Sequence, residues 1–173
     1  MGERAPAVLT VRAVADGEHE RAGEVVLAAY RSLPGEHLTD DYALLLTSVG
    51  RRAKEAEVLV AVEGATVVGC VTFVPDCSSP WAELLEDGEA GIRMLAVDPA
   101  HQGRGAGRAL VDACVTRAQA LGRSAVVLHS TPWMLAAHRL YEDVGFVRLP
   151  ERDFEPVPGV PLRAFRLAVP QPQ

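Results

Sequence analysis

The sequence has few cysteines and no long apolar run, and both absences exclude classes of protein. Among its 173 residues only Cys70, Cys77 and Cys114 are cysteines. Three cysteines without metal-ligand spacing predict reduced thiols, with neither a disulfide framework nor a bound metal. No apolar stretch approaches the roughly 20 residues that a membrane span needs, and the first residues lack the layout of a secretory signal. We therefore expect a cytoplasmic protein without membrane contact.

The sequence also lacks an excess of positive charge. Its formal net charge is −6 at pH 7, which argues against broad binding to a phosphate backbone, so no nucleic acid partner is expected. The length and the hydrophobic content of 49% fit one globular domain. We expect that domain to span residues 1–173, with a core over about residues 8–169 and a frayed tail at 170–173.

Hydrophobic periodicity predicts an α/β fold with a mixed central sheet and helices on both faces. Hairpins occupy the first half of the chain, and helices follow strands in the second half. A polar stretch at 75–90 and a proline-rich stretch at 150–161 are expected to be loops. The expected strands are 7–14, 58–64, 67–71, 92–97, 125–129, 146–149 and 162–169. The expected helices are 18–31, a second from Thr39 to Arg52, a third that ends at Gly122, and a fourth at 132–144 opened by Pro132.

The strongest local signal is the segment LAVDPAHQGRGAGRAL at 95–110, in which a strand leads through a glycine-rich loop into a helix. Glycine allows positive φ and close approach of a ligand to the backbone. The helix start presents unpaired N–H groups and the positive end of its dipole, which suit a pyrophosphate. Arg104 and Arg108 add positive charge. A Walker loop would need a lysine after the glycines, and a Rossmann fingerprint would need glycine at position 108, so neither fits.

Two motifs resemble those of the GNAT superfamily of N-acetyltransferases. Gln102, Gly105 and Gly107 match its acetyl-CoA pyrophosphate motif, [QR]-x-x-G-x-[GA]. The segment AAHRLYEDVGF at 136–146 is similar to the family's [AS]-x-x-L-Y-x-x-x-G-F segment. Together the two motifs cover roughly residues 90–150. The resemblance implies the GNAT fold, in which the fourth and fifth strands splay apart and hold pantetheine between them.

The resemblance also implies acetyl-CoA as cosubstrate and direct transfer of its acetyl group to a primary amine, with Tyr141 as proton donor. The sequence departs from the family at Gly91, where some members carry a glutamate base, so Glu89 and His129 become candidate bases. A second departure is Met134, which stands where many relatives have an asparagine that contacts pantetheine. The residues expected to bind acetyl-CoA are Leu95, Ala96, Val97, Gln102, Gly103, Arg104, Gly105, Ala106, Gly107, Arg108, Met134, Ala137 and Tyr141.

The acceptor is expected to contact the first helices and the stretches 75–90 and 150–161. Trp133 is either a core residue or a wall of the acyl pocket, and the acidic residues of 83–89 could attract an amine. A small-molecule amine is favoured because nothing indicates a peptide groove. A protein N-terminal or lysine acetyltransferase and a non-catalytic acyl-CoA-binding module stay open as alternatives, and a homodimer is compatible with the sequence. Candidate acceptor contacts are Tyr30, His37, Tyr42, Trp81 and Phe154.

Overall fold

A mixed β-sheet runs through the residues that the computed structural model describes, which are 7–34, 38–171 and 173. The strands of this part are β1 (Leu9–Ala13), β2 (Glu57–Glu63), β3 (Thr66–Val74), β4 (Glu89–Val97), β5 (Ala125–Ser130), β6 (Val147–Arg148), β7 (Phe154–Val157) and β8 (Val160–Ala168). Their order is β1-β2-β3-β4-β5-β8-β6, and β7 pairs with β8. Neighbouring strands are antiparallel except β4 and β5, which run parallel.

Helices cover both faces of the sheet. Side chains alternate along β2, so Leu59 and Ala61 join the cluster that holds Leu110 of one helix. Val58 and Val60 join the opposite cluster, together with Val25 and its neighbours. The fold class expected from the sequence is therefore confirmed. The helices of the described residues are α1 (His19–Arg31), α2 (Asp40–Thr47), α3 (Val49–Glu55), α4 (Ala106–Ala120) and α5 (Leu135–Val144).

The single helix expected from Thr39 to Arg52 is wrong, because the chain breaks at Ser48 and forms α2 and α3. The Ser48 hydroxyl donates to the Leu44 carbonyl at 2.6 Å. Arg52 is fully buried, and its guanidinium donates to the Leu45 and Leu46 carbonyls at 2.6 and 3.0 Å. A buried cation therefore satisfies the last carbonyl groups of α2, which lack partners within the helix.

The stretch 150–161 is not entirely a loop as expected from its prolines. It contains a 3₁₀ turn at Pro150–Arg152 and the strand β7, which pairs with β8. Pro156 lies within β7, where a missing N–H is tolerated because β7 borders only β8 and forms an edge.

Other element boundaries also differ from the expected ones, and β4, α5 and β6 are examples. β4 begins at Glu89 instead of 92, because arginine partners neutralise that buried acid. α5 begins at Leu135, since the residues after Pro132 form a turn in which the Met134 N–H donates to the Thr131 carbonyl at 3.2 Å. β6 is confined to Val147–Arg148.

Candidate active site

The parallel strands β4 and β5 separate half-way along their length. Their pairing runs from Glu89–Ala125 to Ile92–Leu128, and no later pair joins them in the described chain. On the other side of β4, two residues, Met94 and Leu95, stand opposite one residue of β3, and Met94 has a φ of 53°. A bulge of this kind bends a strand locally. The second half of β4 therefore leaves its β5-side edge available for a ligand backbone.

A cavity of about 860 Å³ opens at this separation. Five of the residues predicted for catalysis or acetyl-CoA binding line it, namely Leu95, His129, Met134, Ala137 and Tyr141. The rest of the wall comes from α2, from the segment before β4, from β4 itself and from the β7–β8 hairpin. These residues include Asp41, Leu45, Glu83, Arg93 and Pro156–Val160.

The start of α4 has the features of the anion site that the glycine-rich loop predicts. Gly105 precedes the helix with a φ of 92°, a left-handed conformation that favours glycine, and no side chain caps the helix. The first intrahelical bond runs from the Ala109 N–H to the Gly105 carbonyl, so the N–H groups of 106–108 have no helical acceptor. The Gln102 amide donates to the Val97 carbonyl at 3.3 Å and ties the loop to the end of β4.

The two arginines of the loop are exposed, and each has a carboxylate partner. Arg104 lies 3.0 Å from Glu63, and Arg108 lies 3.2 Å from Asp112 on the next turn of α4. Gly107 has a packing role, because a Cβ at its position would lie 3.2 Å from the Leu140 side chain of α5. Glycine thus lets the start of α4 approach α5 closely.

Tyr141 is buried between two aromatic rings at the cavity wall. Its ring centroid lies 5.7 Å from those of both Phe146 and Phe165. Burial raises the pKa of the Tyr141 phenol, and the neighbouring Cys114 adds to the shift. The hydroxyl therefore stays protonated at neutral pH and is available as a donor.

The hydrogen bond of His129 determines which ring nitrogen is basic. Its Nε2 lies 3.2 Å from the backbone carbonyl oxygen of Arg152. A carbonyl oxygen only accepts, so Nε2 carries the hydrogen and the neutral ring has its lone pair on Nδ1. Nδ1 lies 3.9 Å from Glu83 Oε1. Burial lowers the pKa of His129, so the ring is neutral at pH 7.

Glu83 and Arg93 occupy the cavity wall beside His129. Glu83 Oε2 lies 3.2 Å from Arg93 Nη2, and the Arg93 guanidinium lies 5.6 Å from the centre of the Trp81 ring. The sequence suggested only an acidic stretch around Glu83 and gave Arg93 no role. The sequence feature that could have pointed to Glu83 is the acidic segment WAELLEDGEA at 81–90, which leads into β4. No spacing in this segment distinguishes Glu83 from the other acids.

The expected acceptor contacts fall into two groups. Tyr30, Tyr42 and Trp81 line the cavity. Phe154 packs edge-on against His129 with ring centroids 5.1 Å apart. Trp133 is half-buried and is not among the lining residues. His37 lies outside the described residues.

Ala96 and the cysteines lie away from the cavity. Ala96 packs in the cluster on the α1 face of the sheet. Burial raises the pKa of the Cys70 thiol to about 12 and also raises that of Cys114. Cys77 is exposed, and a hydrogen bond to Asp87 raises its pKa. Within the described chain, no cysteine is therefore an activated nucleophile beside the cavity.

A family model described as the acetyltransferase (GNAT) family matches residues 24–146. The chain belongs to the GNAT acetyltransferase family. The match includes the glycine-rich loop, α4 and the segment around Tyr141, which carried the resemblance.

Relatives of this GNAT acetyltransferase match over part of their length. N-acetylaspartate synthetase from Danio rerio is 36% identical over 75 residues, which are 43% of this chain and 27% of that protein. Mycothiol acetyltransferase from Streptosporangium roseum is 38% identical over 74 residues, which are 39% of this chain and 22% of that protein. The chain thus matches about a quarter of the length of these curated relatives.

Solved structures show the same fold over nearly the whole chain. The acetyltransferase yncA from Salmonella typhimurium, solved with its cofactor acetyl-CoA, is 23% identical and has a TM-score of 0.66, with 94% of each chain covered. In the described part of the GNAT chain, no helix is long and apolar enough to cross a membrane. The same residues contain no cluster of histidine, cysteine and acidic side chains suited to a metal ion.

Glu89, a candidate base by sequence, is buried in an ionic network and is not among the residues that line the cavity. Arg152 donates to its two oxygens at 2.6 and 2.9 Å, and Arg166 donates at 3.4 Å. The Glu86 N–H also donates to Glu89, at 3.0 Å. Because the Arg152 carbonyl holds His129, this arrangement connects Glu89 to the position of the histidine ring.

Replacing Glu89 with glutamine should destabilise the protein in a pH-dependent way. We expect the free energy of unfolding at pH 7 to fall by about 2 kcal/mol, the scale of a hydrogen bond to a charged group. Burial raises the pKa of Glu89, but the bonds from Arg152 outweigh it and the net pKa lies below 4.5. A carboxylate with a lowered pKa stabilises the fold above that value and loses this contribution as pH falls through the folded-state pKa.

The measurement is denaturant unfolding of the wild type and of Glu89→Gln from about pH 7 to about pH 3. The difference between the two should shrink as pH falls below 4.5. Glu86→Gln is the matched control, because Glu86 contacts the same Arg152 at 2.7 Å with a side chain that is 72% exposed. Its effect should stay within about 0.5 kcal/mol. A Glu89→Gln difference that does not change with pH would contradict this assignment.

Proposed function

We propose that this protein is an acetyl-CoA-dependent N-acetyltransferase that transfers an acetyl group directly to the primary amine of a small molecule. The observation that carries the proposal is the cavity at the separation of β4 and β5. It contains a neutral histidine base and a protonated tyrosine, and the strand that opens it leads into the uncapped start of α4.

The residues present fit acetyl-CoA as the donor. The N–H groups at the start of α4 suit phosphate groups. A Cβ at Gly103 or Gly105 would meet nothing within 4 Å, so the loop surface is open to a ligand. The free β4 edge beyond Ile92 can pair with an amide-containing chain. Acetyl-CoA supplies the acetyl group as a reactive thioester, and all other roles belong to residues of the chain.

The names of two relatives support an amine acceptor, since one is an N-acetylaspartate synthetase and the other a mycothiol acetyltransferase. The three free cysteines suit a reducing compartment, so the cytoplasm is the proposed location. No step of the proposal requires a metal ion, because His129 takes up the amine proton and Tyr141 stabilises the departing sulfur.

His129 is the proposed general base. An amine attacks only in its neutral form, and a lysine-like amine with a pKa of about 10.4 is mostly protonated at neutral pH. Nδ1 of the neutral His129 ring can accept that proton, and Glu83 at 3.9 Å stabilises the imidazolium that results. The Arg152 carbonyl keeps Nδ1 as the basic atom throughout.

Tyr141 is the proposed hydrogen-bond donor to the departing sulfur. The amine nitrogen forms its bond to the acetyl carbon while the carbon–sulfur bond breaks, and the amine proton passes to His129. The sulfur leaves as a thiolate that accepts a hydrogen bond from the Tyr141 hydroxyl. Burial raises the pKa of that phenol, so Tyr141 stabilises charge on sulfur without giving up its own proton.

The loop assignment is tested by two substitutions of equal size. Gly105→Asp and Gly105→Asn both place a side chain at a φ of 92°, where asparagine and aspartate are among the best tolerated residues. Both variants carry the same backbone strain and differ in charge, so a difference between their affinities reports the effect of the charge alone. We expect the aspartate variant to bind acetyl-CoA at least about tenfold more weakly, because its carboxylate repels phosphate groups at the helix start. Calorimetry measures both affinities. Equal affinities in two folded variants would show that acetyl-CoA does not bind at this loop.

The base is tested with His129→Gln. The glutamine amide can still donate to the Arg152 carbonyl but cannot take up a proton. We expect kcat/KM to fall about 100-fold, the lower range for loss of a general base. In the wild type, kcat/KM should rise with pH through an apparent pKa below 6.5, because burial lowers the pKa of His129. That inflection should be absent in the variant.

His138→Gln serves as the matched control for the pH profile. His138 is partly buried on α5 and bonds Ser130 at 3.2 Å, but it does not line the cavity. The control should keep the low-pH inflection. If His129→Gln also keeps it, His129 is not the base.

Release of free thiol from acetyl-CoA in the presence of an amine panel tests the function as a whole, with mass detection of the acetylated product. Binding of acetyl-CoA without thiol release by any amine would identify a non-catalytic module instead. In the same assay Tyr141→Phe should lower kcat by about 100-fold while acetyl-CoA affinity changes little, since the ring and its packing remain. A folded variant with more than about half the wild-type kcat would contradict the donor role, provided that acyl transfer limits turnover.

A further inference from the structure

Arg93 places a cation in the wall of the acceptor cavity. It lies one residue after the last β4–β5 pair, at Ile92, and its side chain is 25% exposed. Its contacts are the Glu83 carboxylate at 3.2 Å, the Trp81 carbonyl at 3.4 Å and the face of the Trp81 ring. A guanidinium has five N–H donors, and these contacts engage two of them. Arg93 therefore has donors left for a ligand.

A cation at this position opposes binding of a simple amine. The amine arrives as an ammonium ion at neutral pH, and Arg93 repels it. Glu83 offsets this repulsion only in part, because the same carboxylate is paired with Arg93. The charges of the wall therefore suit a ligand that brings a carboxylate of its own together with the amine.

We infer that the acceptor is an α-amino acid, whose carboxylate binds Arg93 and whose amine lies between Glu83 and Nδ1 of His129. This inference rests on the proposed function. Arg93, Glu83 and His129 form a row of cation, anion and base, with neighbouring atoms 3.2 and 3.9 Å apart. In an α-amino acid the nitrogen and the carboxyl carbon are about 2.5 Å apart, joined through one carbon. The carboxylate and the ammonium of the amino acid are thus about as close to each other as the charges of Arg93 and Glu83 in the wall.

In this position the amine of the amino acid lies beside the proposed base, Nδ1 of His129. The amine passes its proton to Nδ1 of His129, its nitrogen bonds to the acetyl carbon, and the thiolate leaves. The product is an N-acetyl amino acid, which keeps the carboxylate contact to Arg93 but has lost the positive charge that faced Glu83. That loss weakens product binding relative to the substrate.

The remaining wall favours an apolar side chain on the amino acid. Tyr30 and Tyr42 meet edge to face with centroids 6.2 Å apart, and both line the cavity with Leu45 and Leu85. Asp41 adds a negative charge to the same wall, which disfavours acidic side chains.

The first test compares three forms of each acceptor with the wild-type enzyme: leucine, methionine and phenylalanine, their amides, and the amines left by decarboxylation. Loss of the neighbouring carboxylate charge lowers the amine pKa of the amide, so a larger fraction of the amide is neutral and able to attack at pH 7. We expect kcat/KM to be highest for the free amino acid, by at least about tenfold, the scale of a charge-assisted hydrogen bond.

The second test removes the cation. Arg93→Met should lower the ratio of kcat/KM for the amino acid to kcat/KM for its decarboxylated amine by at least about tenfold, and Arg93→Lys should lower it less. Arg51→Met is the control, because Arg51 also stacks on Trp81, at 5.9 Å, but is exposed and does not line the cavity. It should leave the ratio unchanged. Melting temperatures show whether each variant folds, and the first test stands without any variant.

The possible outcomes distinguish failure of the amino-acid acceptor from failure of the proposed acetyltransferase function. Preference for the amide would overturn the inference and indicate a peptide N-terminus as acceptor. Preference for the decarboxylated amine, acetylation of other amines only, or an unchanged ratio in folded Arg93→Met would also overturn it. Absence of acetyl transfer to any amine would instead refute the proposed function.

Discussion

The separation of β4 from β5 is the constraint on which the rest of the site depends. Up to Ile92 the two strands are parallel neighbours, and beyond it their backbones have different partners. The bulge at Met94 turns β4 while its pairing with β3 continues to Val97. One irregularity therefore opens the cavity, frees a backbone edge and directs the chain into the loop before α4. Tyr141 and His129 border this opening, and this position makes them candidates for the chemistry.

Two charged residues of β4, Glu89 and Arg93, are held in opposite ways. At the paired end, Glu89 is buried and held by Arg152 and Arg166. In the middle of the strand, just beyond the last pair with β5, Arg93 is partly exposed and pairs with a single carboxylate, that of Glu83. A network with saturated partners contributes to stability, whereas an ion pair with donors to spare can exchange partners with a ligand. Burial and partner number thus distinguish the structural acid Glu89 from Arg93, the candidate binding group four residues away on the same strand.

Local motifs in the sequence mark the candidate acetyl-CoA side of the site, whereas on the acceptor side they pointed to Tyr30, Tyr42 and Trp81 but not to the Arg93–Glu83 pair. Gly105 stands out because its left-handed conformation restricts the residue type, and Tyr141 stands out through a spaced motif. Glu83, Arg93 and His129 come from three segments that the sheet order brings together, so no local pattern connects them. The break at Ser48 was missed for a similar reason, since it depends on Arg52 reaching back to the end of α2. The prolines around β7 indicate a loop in the sequence, although an edge strand such as β7 tolerates them.

The tautomer of the His129 ring is set by a backbone group, the Arg152 carbonyl that accepts a hydrogen bond from Nε2. Every residue type has a backbone carbonyl, so the basic nitrogen is specified by the path of the chain and not by the identity of a side chain. A different side chain at position 152 would therefore leave the hydrogen on Nε2, as long as the backbone keeps the same path. A comparison of sequences alone would pass over this determinant, while an insertion or deletion that shifts the chain between β6 and β7 would change it at once.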